Sequence, residues 1–567
     1  MPDASINDED ETFQETLSRC QYRPGIPITG DIKTLCHIYL DEQLCMQSLI
    51  INQNKLTKQD GSALTLLGDL VTSGASHPEV QDKPAFVPIP YHIELVSALL
   101  IHPRHTSQLP PDERLELASK AITFLRNTLL ILGPVNANLV EAFSLSPFIS
   151  TRTSRRSRVA LERDEGTSGS DTEDKLENVK GVIGNKGRMR NCAQDFWHIV
   201  GWAFNCSVKY PKRWQYWKVY LDYMLDVLDA DWKERERLDR EGMNGVDGEC
   251  DFTMVRKGLL MKYLSEVGGK SSAMRRVVRS VFADAGPDSL KEFPQVFEDE
   301  LKDRNRLKRK RADTIDHKFG DYEEEAEISD DYSSPMRADD AGLDEDEDED
   351  EMHIPLVDPY LGGTESIALR QRVLTLLSRA SYYFKDEIMP LSKLYELVFL
   401  SLKHTPIPAF SLLMSPSTNS FLHPQLFVSL TLLGLTLLLP NNAPTFQSIL
   451  SSESDDLTQE VLEKCLLPFA ASTSSTDENA KVSILVENCL RLFLRSCECW
   501  YTPVLGEAIE RGIKARDDKC KGEKKPKDVG ARKRQETARE WLTASGGRLR
   551  SLLAFVEVRT ADNWNIE

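Results

Sequence analysis

The feature that most constrains the fold is a stretch of 42 residues, 191–232, which holds five of the eight tryptophans of the chain. It predicts two helices separated at Pro211, because proline in the first turn of a helix lacks an N–H that would have no partner there. At about 100° per residue, the second helix carries a continuous apolar stripe. Its members are Trp214, Trp217, Leu221, Met224, Leu225 and Leu228.

A second stripe widens the apolar surface of this helix, so it is too apolar for a surface position. Tyr216 and Tyr220 belong to the second stripe, whereas Asp222, Asp226 and Asp229 share the remaining face, which we expect to contact solvent. An ordinary surface helix buries a stripe of about 100°, and here nearly twice that is apolar. We therefore expect the helix to lie inside an all-helical stack. The expected core residues are Trp197, Trp202, Trp214, Trp217, Tyr220 and Leu221.

Base stacking is the alternative role for these aromatic side chains. Lys209, Lys212 and Arg213 are close to Trp214 in sequence, and rings interleaved with cations bind unpaired bases. However, the aspartates of the same helix would repel phosphate. Aromatic residues at helical spacing more commonly contribute apolar area to a core, so the core interpretation is preferred.

Charge is distributed very unevenly along the chain. The formal net charge is −19, and residues 321–351 contain 17 Asp or Glu and one basic residue, Arg337, which accounts for −16 of it. Such a segment cannot bury enough apolar surface to fold. The remaining, folded parts are therefore nearly neutral, and the acidity belongs to one segment rather than to the folded surface.

Composition and helical periodicity divide the chain into six segments. The predicted segments are a disordered tail at 1–29, helical blocks at 30–149, 190–305 and 362–567, a disordered Ser-, Arg- and acid-rich linker at 150–189, and a basic run followed by a disordered acidic linker at 306–361. Few large apolar residues occur in the linkers, which is why no packed structure is expected there. A basic stretch, 511–534, is expected to be a solvated connector before a last helix, 535–558.

Two short motifs indicate a nuclear, regulated protein. The run RLKRKR is typical of a nuclear import signal or a nucleic-acid contact, although basic residues at a helix end can also simply complement the helix dipole. The import candidates are Arg306, Lys308, Arg309, Lys310 and Arg311. Acidic residues follow Ser168, Ser170 and Thr172, a pattern that suits acid-directed kinases, whose phosphate would add charge to the linker.

The sequence contains no motif of catalytic chemistry. There is no GxxxxGK[ST], HExxH, paired CxxC or GxSxG, and the glycine-rich run 181–187 follows no predicted strand. The polar start and the eleven irregularly spaced cysteines indicate a reducing compartment. The apolar run 426–439 is too short for a membrane span, which needs about 20 residues. No catalytic residue, cofactor, metal or small-molecule ligand is predicted.

The expected fold is therefore all-α: an irregular helical array, either a HEAT- or TPR-like solenoid or a multi-helix bundle, with long disordered charged insertions. No second copy of the aromatic pattern occurs at a fixed period, so no repeat family is assigned. The expected function is that of a non-enzymatic nuclear scaffold or adaptor that binds proteins in a chromatin, DNA-repair or RNA-processing complex. Two alternatives stay open: direct nucleic-acid binding through the basic clusters, and an enzyme whose site is assembled from distant residues.

Overall fold

The computed structural model describes residues 22–49, 62–73, 83–107, 111–145, 187–242, 251–268, 271–298, 300–301, 360–416, 424–441, 443–444, 457–497 and 499–564. The described structure has 20 α-helices and is 75% helical, which confirms the all-α class. Strands among the described residues are limited to one parallel pair of three residues each. None of the described helices is long and apolar enough to cross a membrane.

The first group of elements contains five helices and this small sheet. Strand β1 (Gly25–Pro27) pairs with β2 (Ala85–Val87), with Ile26 opposite Phe86. The helices are α1 (Gly30–Leu49), α2 (Ser62–Thr72), α3 (Pro90–Leu99), α4 (Pro111–Asn136) and α5 (Leu139–Ala142). Periodicity does not predict these strands, because three residues beside prolines carry no readable alternation.

The second group contains the aromatic stretch. Its helices are α6 (Met189–Cys192), α7 (Phe196–Lys209), α8 (Pro211–Gly242), α9 (Thr253–Arg256), α10 (Leu259–Val267), α11 (Ser271–Val281) and α12 (Pro287–Glu292). The sequence predicts a helix that starts near Ser289 and continues through Leu301 into residues 308–311; over the described residues this is wrong, because the helix ends at Glu292. It ends there because Phe293 precedes Pro294 and leaves the helical region with φ −125° and ψ 74°, and residues before proline disfavour the α conformation.

The third group covers the C-terminal part of the chain. Its helices are α13 (Gly363–Tyr383), α14 (Leu391–Leu402), α15 (Ile407–Leu413), α16 (Pro424–Leu438), α17 (Gln459–Val461), α18 (Thr476–Ser496), α19 (Pro503–Cys520) and α20 (Val529–Trp564). The predicted connector at 511–534 is wrong, because most of it is helical. Lys and Arg are good helix formers, and Arg532–Glu536 adds a pair at i,i+4.

The three groups share one core. A single cluster of buried apolar side chains extends from Cys36 in α1 to Val556 in α20. A buried cation also joins the second and third groups: Arg370 of α13 is fully buried and donates to the carbonyl oxygens of Val281 and Ala283 at the end of α11. These carbonyls have no partner within their own helix, so Arg370 completes the C-terminus of α11.

The predicted solvent face of α8 is a second contact between these groups. Arg372 of α13 donates to Asp222 at 2.7 Å and to Asp226 at 2.6 Å, and Arg379 donates to Asp229 at 3.0 Å. The three aspartates stay partly exposed to solvent, and the sequence did not predict that they would also pair with α13. Arginines seven residues apart lie on one side of α13 and match aspartates at similar spacing on α8, which helical periodicity within one element does not reveal.

Candidate interaction surface

The structure places all six predicted core side chains in the interior. Trp197, Trp202, Trp214, Trp217, Tyr220 and Leu221 are buried. Helix α7 begins after Asp195, whose carboxylate accepts from the N–H of His198, and α8 begins at Pro211. The two helices pack against each other. Trp214 and its neighbour Arg213 are both buried, so the Trp214 ring is not accessible for stacking a base.

At the centre of this core lies a buried carboxylate, Glu300. Its Oε1 accepts from Trp217 Nε1 at 2.5 Å and from Arg213 Nε at 2.9 Å. Its Oε2 accepts from Trp202 Nε1 at 3.0 Å and from the N–H of Phe297 at 3.3 Å. Both oxygens are therefore engaged by donors. This arrangement holds α7, α8 and the segment after α12 together, and it leaves no oxygen free to accept a proton from a substrate.

Arg213 extends the same network to the first group of elements. Its guanidinium donates to Thr106 Oγ1 and to the carbonyl oxygen of Ile101, each at 2.6 Å. It is also ion-paired with Glu300 at 2.8 Å. A buried pair of this kind stabilises the fold only when its remaining donors and acceptors are satisfied, and here they are. Sequence reasoning missed this role because Glu300 is 87 residues from Arg213.

Buried histidines lie near the network. Burial lowers the pKa of His102 to about 3 and of His105 to about 4, and the positive charge of Arg104 adds to both shifts. His198 accepts from the N–H of Gln194 through Nδ1 and contacts the Pro294 carbonyl at 2.8 Å through Nε2. Among the described residues, no three His, Cys, Asp or Glu side chains are grouped to hold a metal ion.

The residues predicted to carry regulation lie outside the described part of the chain. These are the import candidates Arg306, Lys308, Arg309, Lys310 and Arg311 and the phosphorylation candidates Ser168, Ser170 and Thr172. The structure therefore does not show where these residues lie relative to the helical groups, and both assignments stay predictions.

A surface of a different kind lies where α8, α9 and the end of α13 meet. We call it the aromatic patch and define it as Phe252, Tyr382 and Tyr383. The side chain of Tyr382 is 60% exposed and that of Tyr383 is 37% exposed. The Tyr383 ring lies 5.4 Å from that of Tyr382 and 5.0 Å from that of Phe252. Three aromatic rings thus form a connected group that reaches the solvent.

The aromatic patch rests on a rigid base. Beneath it, buried Trp232 and Phe384 contact the patch, with the Trp232 and Tyr383 rings 6.0 Å apart. Arg256 lies over Phe384 and donates to Asp251 and Glu387, each at 2.7 Å. These contacts link α9 to the loop that follows α13 and fix the position of the rings.

Two local irregularities also occur at the aromatic patch. Phe252 adopts a left-handed conformation with φ 46° and ψ 42°, which costs a non-glycine residue about 1–2 kcal/mol. In addition, the buried indole N–H of Trp232 has no hydrogen-bond partner among the described residues. Strained backbone and unsatisfied buried donors are concentrated at functional sites in proteins. Both features therefore favour a functional role for this junction.

The sequence gives only part of this surface. Tyr383 and Phe384 lie on the apolar stripe of α13 and read as core, and Phe384 is indeed buried. Tyr382 lies off that stripe, which is the one signal that could have identified it. The proximity of Phe252, 130 residues earlier, depends on tertiary packing.

Comparison with known proteins adds no identity. No family model matches the chain, and no curated protein matches it.

Proposed function

We propose that the protein is a non-enzymatic nuclear scaffold or adaptor, an irregular helical array (a HEAT- or TPR-like solenoid or a multi-helix bundle) that binds other proteins within a chromatin, DNA-repair or RNA-processing complex. The observation that carries the proposal is the aromatic patch. Tyr, Trp and Arg are the residues that most often dominate the binding energy of protein interfaces. The aromatic patch presents two exposed tyrosines, with Trp232 and Arg256 beside them at the same junction.

The physical case for a protein partner is that the tyrosine rings of the aromatic patch are exposed to solvent. Large apolar side chains that project from a rigid surface gain free energy when a partner removes them from water, about 25 cal/mol per Å². Because the aromatic patch is already ordered by Trp232, Phe384 and Arg256, binding would require little additional ordering of side chains, and such preorganisation increases affinity. The recognition we propose is predominantly apolar, through the exposed rings of the aromatic patch.

The test is affinity purification from nuclease-treated nuclear extract with the full-length protein and its Tyr382→Lys variant, followed by quantitative mass spectrometry. We expect near-stoichiometric protein partners with the wild type and their loss with Tyr382→Lys. For an isolated partner, we expect the affinity to fall by about 30-fold, which corresponds to the roughly 2 kcal/mol typical of a hot-spot residue.

Leu130→Lys is the matched control, because Leu130 of α4 is 73% exposed and far from the aromatic patch in sequence. It should retain every partner. If Tyr382→Lys retains the same partners as the control, the aromatic patch is not the binding surface. If all partners of the wild type disappear on nuclease treatment, the scaffold proposal itself fails.

A further inference from the structure

The last two helices form an antiparallel hairpin. Glu510 of α19 accepts from Arg550 of α20 at 2.7 and 2.9 Å, and Tyr501, earlier in the chain, donates its N–H to Thr560, later in the chain. Helix α18 lies alongside, with Ser483 bonded to Ser545. Extending the Ser483–Ser545 pairing along both helices places the start of α18 beside the third turn of α20. Residues before that level therefore project beyond the helices against which α20 packs.

The projecting end of the hairpin is strongly basic. We call residues 521–534 the basic turn. It contains seven Lys or Arg and two Asp or Glu, a net charge of +5, and all seven cations are exposed. Lys521 and Arg532 are paired with Asp518 and Glu536. The remaining five form no ion pair with a described residue: Lys524, Lys525, Lys527, Lys533 and Arg534.

Both carboxylates of the basic turn are used to fix its shape. Glu523 accepts from the N–H of Thr476 at 3.0 Å, at the N-terminus of α18. Asp528 caps α20, because its Oδ2 accepts from the N–H of Ala531 at 2.8 Å. The acidic groups therefore anchor the turn at two points and do not pair with the five free cations, all of which are exposed.

The chemistry of the basic turn favours nucleic acid over a protein as its partner. A protein partner needs apolar anchors in addition to charge, because exposed ion pairs contribute only about 0–1 kcal/mol each. The only large apolar side chain exposed in the basic turn is Val529. Nucleic-acid backbone requires no such anchor, because neutralising phosphates releases condensed counterions. Single strands are bound by stacking on aromatic rings, and residues 521–534 contain none.

We propose that the basic turn binds the phosphate backbone of duplex nucleic acid, without reading its sequence. This activity is independent of the aromatic patch, so a scaffold that binds proteins through the patch would use the basic turn to contact nucleic acid at the same time. Each free cation that meets a phosphate contributes about −0.9 to the slope of log K against log salt concentration. Five such contacts correspond to a slope contribution of about −4 to −5.

The experiment is fluorescence anisotropy of labelled 24-base-pair DNA and RNA duplexes with the full-length protein, from 50 to 200 mM salt. The test variant replaces the five free cations with glutamine, which keeps helix propensity. Between 50 and 200 mM salt, we expect the affinity of both proteins to fall. The fold-loss of the wild type should exceed that of the variant several-hundred-fold, because the salt slope of the variant is shallower by about 4. The DNA and RNA arms show which duplex is the ligand.

The control has the same change in net charge elsewhere on the molecule. It replaces five exposed lysines, Lys212, Lys257, Lys291, Lys385 and Lys393, with glutamine and should bind like the wild type. Equal losses of affinity in the test and control variants would overturn the proposal in favour of a general charge effect. Undiminished binding by the test variant, or displacement of the duplex by poly-glutamate at equal charge concentration, would also overturn it. Circular dichroism confirms that both variants are folded.

Discussion

At the scale of single residues, the interior uses polar atoms to orient its largest side chains. Trp202 and Trp217 each have an apolar ring in the core and an indole N–H that donates to Glu300. Burial of a tryptophan normally requires such a partner. The carboxylate therefore selects the direction in which both rings point, and Arg213 balances its charge. The result is a core in which packing and hydrogen bonding depend on the same four side chains.

Replacing Trp217 by alanine tests this description. We expect Trp217→Ala to reduce the free energy of unfolding by about 3–5 kcal/mol, because the fully buried ring leaves a cavity. Chemical denaturation monitored by circular dichroism measures the change. Tyr382→Ala is the control and should change stability by less than about 1 kcal/mol, since its side chain is 60% exposed. A Trp217→Ala protein with wild-type stability would contradict the core assignment.

At the scale of elements, close approach of backbone and side chain decides how α7 packs. Gly201 lies where a Cβ atom would come within 2.3 Å of the Phe293 ring. The absence of a side chain therefore lets the segment after α12 lie directly on α7 and brings Glu300 to the tryptophans. The contact between α8 and α13 also includes ion pairs, but partly exposed pairs contribute little individually.

Gly201→Ala is expected to be destabilising for this reason. Phe293 would have to shift, and overpacking of this kind costs about 1–3 kcal/mol. Gly547→Ala in α20 is the matched control, because a Cβ there has no neighbour within 4 Å. The control should increase stability by about 0.5–1 kcal/mol, since alanine is the better helix former. Denaturation midpoints of the two variants should therefore move in opposite directions; movement in the same direction would refute the packing explanation.

At the scale of the whole molecule, three buried histidines make stability depend on pH. Burial lowers the pKa of His92 to about 3, with smaller effects from His37 and Lys33, and it also lowers those of His102 and His105 to about 3 and 4. The ring nitrogens of His92 and His105 have no hydrogen-bond partner among the described residues. Protonation would thus place unpaired charge in the core of the first group of elements.

The expected consequence is loss of stability on mild acidification. Unfolded histidine has a pKa of about 6.5, so between that pH and the folded pKa values the unfolded chain binds more protons than the folded one. Stability is therefore fully present above pH 6.5 and falls below it, by up to about 1.4 kcal/mol per pH unit for each histidine. Thermal unfolding at pH 7.5, 6.5, 5.5 and 5.0 measures this dependence.

A variant identifies which groups are responsible. His92→Gln keeps a polar side chain of similar size that does not titrate, and it should reduce the decrease in melting temperature between pH 7.5 and 5.0. His404→Gln is the control, because His404 is exposed, and it should leave the decrease unchanged. A melting temperature that is constant over this range in the wild type would contradict the assignment of neutral buried histidines.

The sequence by itself determined the fold class and the identity of the core. Helical periodicity depends on neighbours three and four residues apart, so it revealed the long helices and showed that α8 must be covered on two sides. The same local reasoning failed where a proline ended α12 and where the basic stretch at 511–534 proved to be mostly helix, and it did not reveal the ion pairs between α13 and the aspartates of α8. Only the last of these depends on contacts that no window of adjacent residues contains; the first two follow from local rules, namely the proline after Phe293 and the helix propensity of Lys and Arg.

The tertiary structure alone decided the sites. Glu300 and Arg213 are 87 residues apart, Phe252 and Tyr383 are 131 apart, and Glu523 and Thr476 are 47 apart. No periodic pattern links residues at such separations, because their proximity follows from how helices pack and not from how each one forms. The sequence determined which side chains avoid water, and packing decided which of them meet, which carboxylates are buried and which cations stay free to bind a partner.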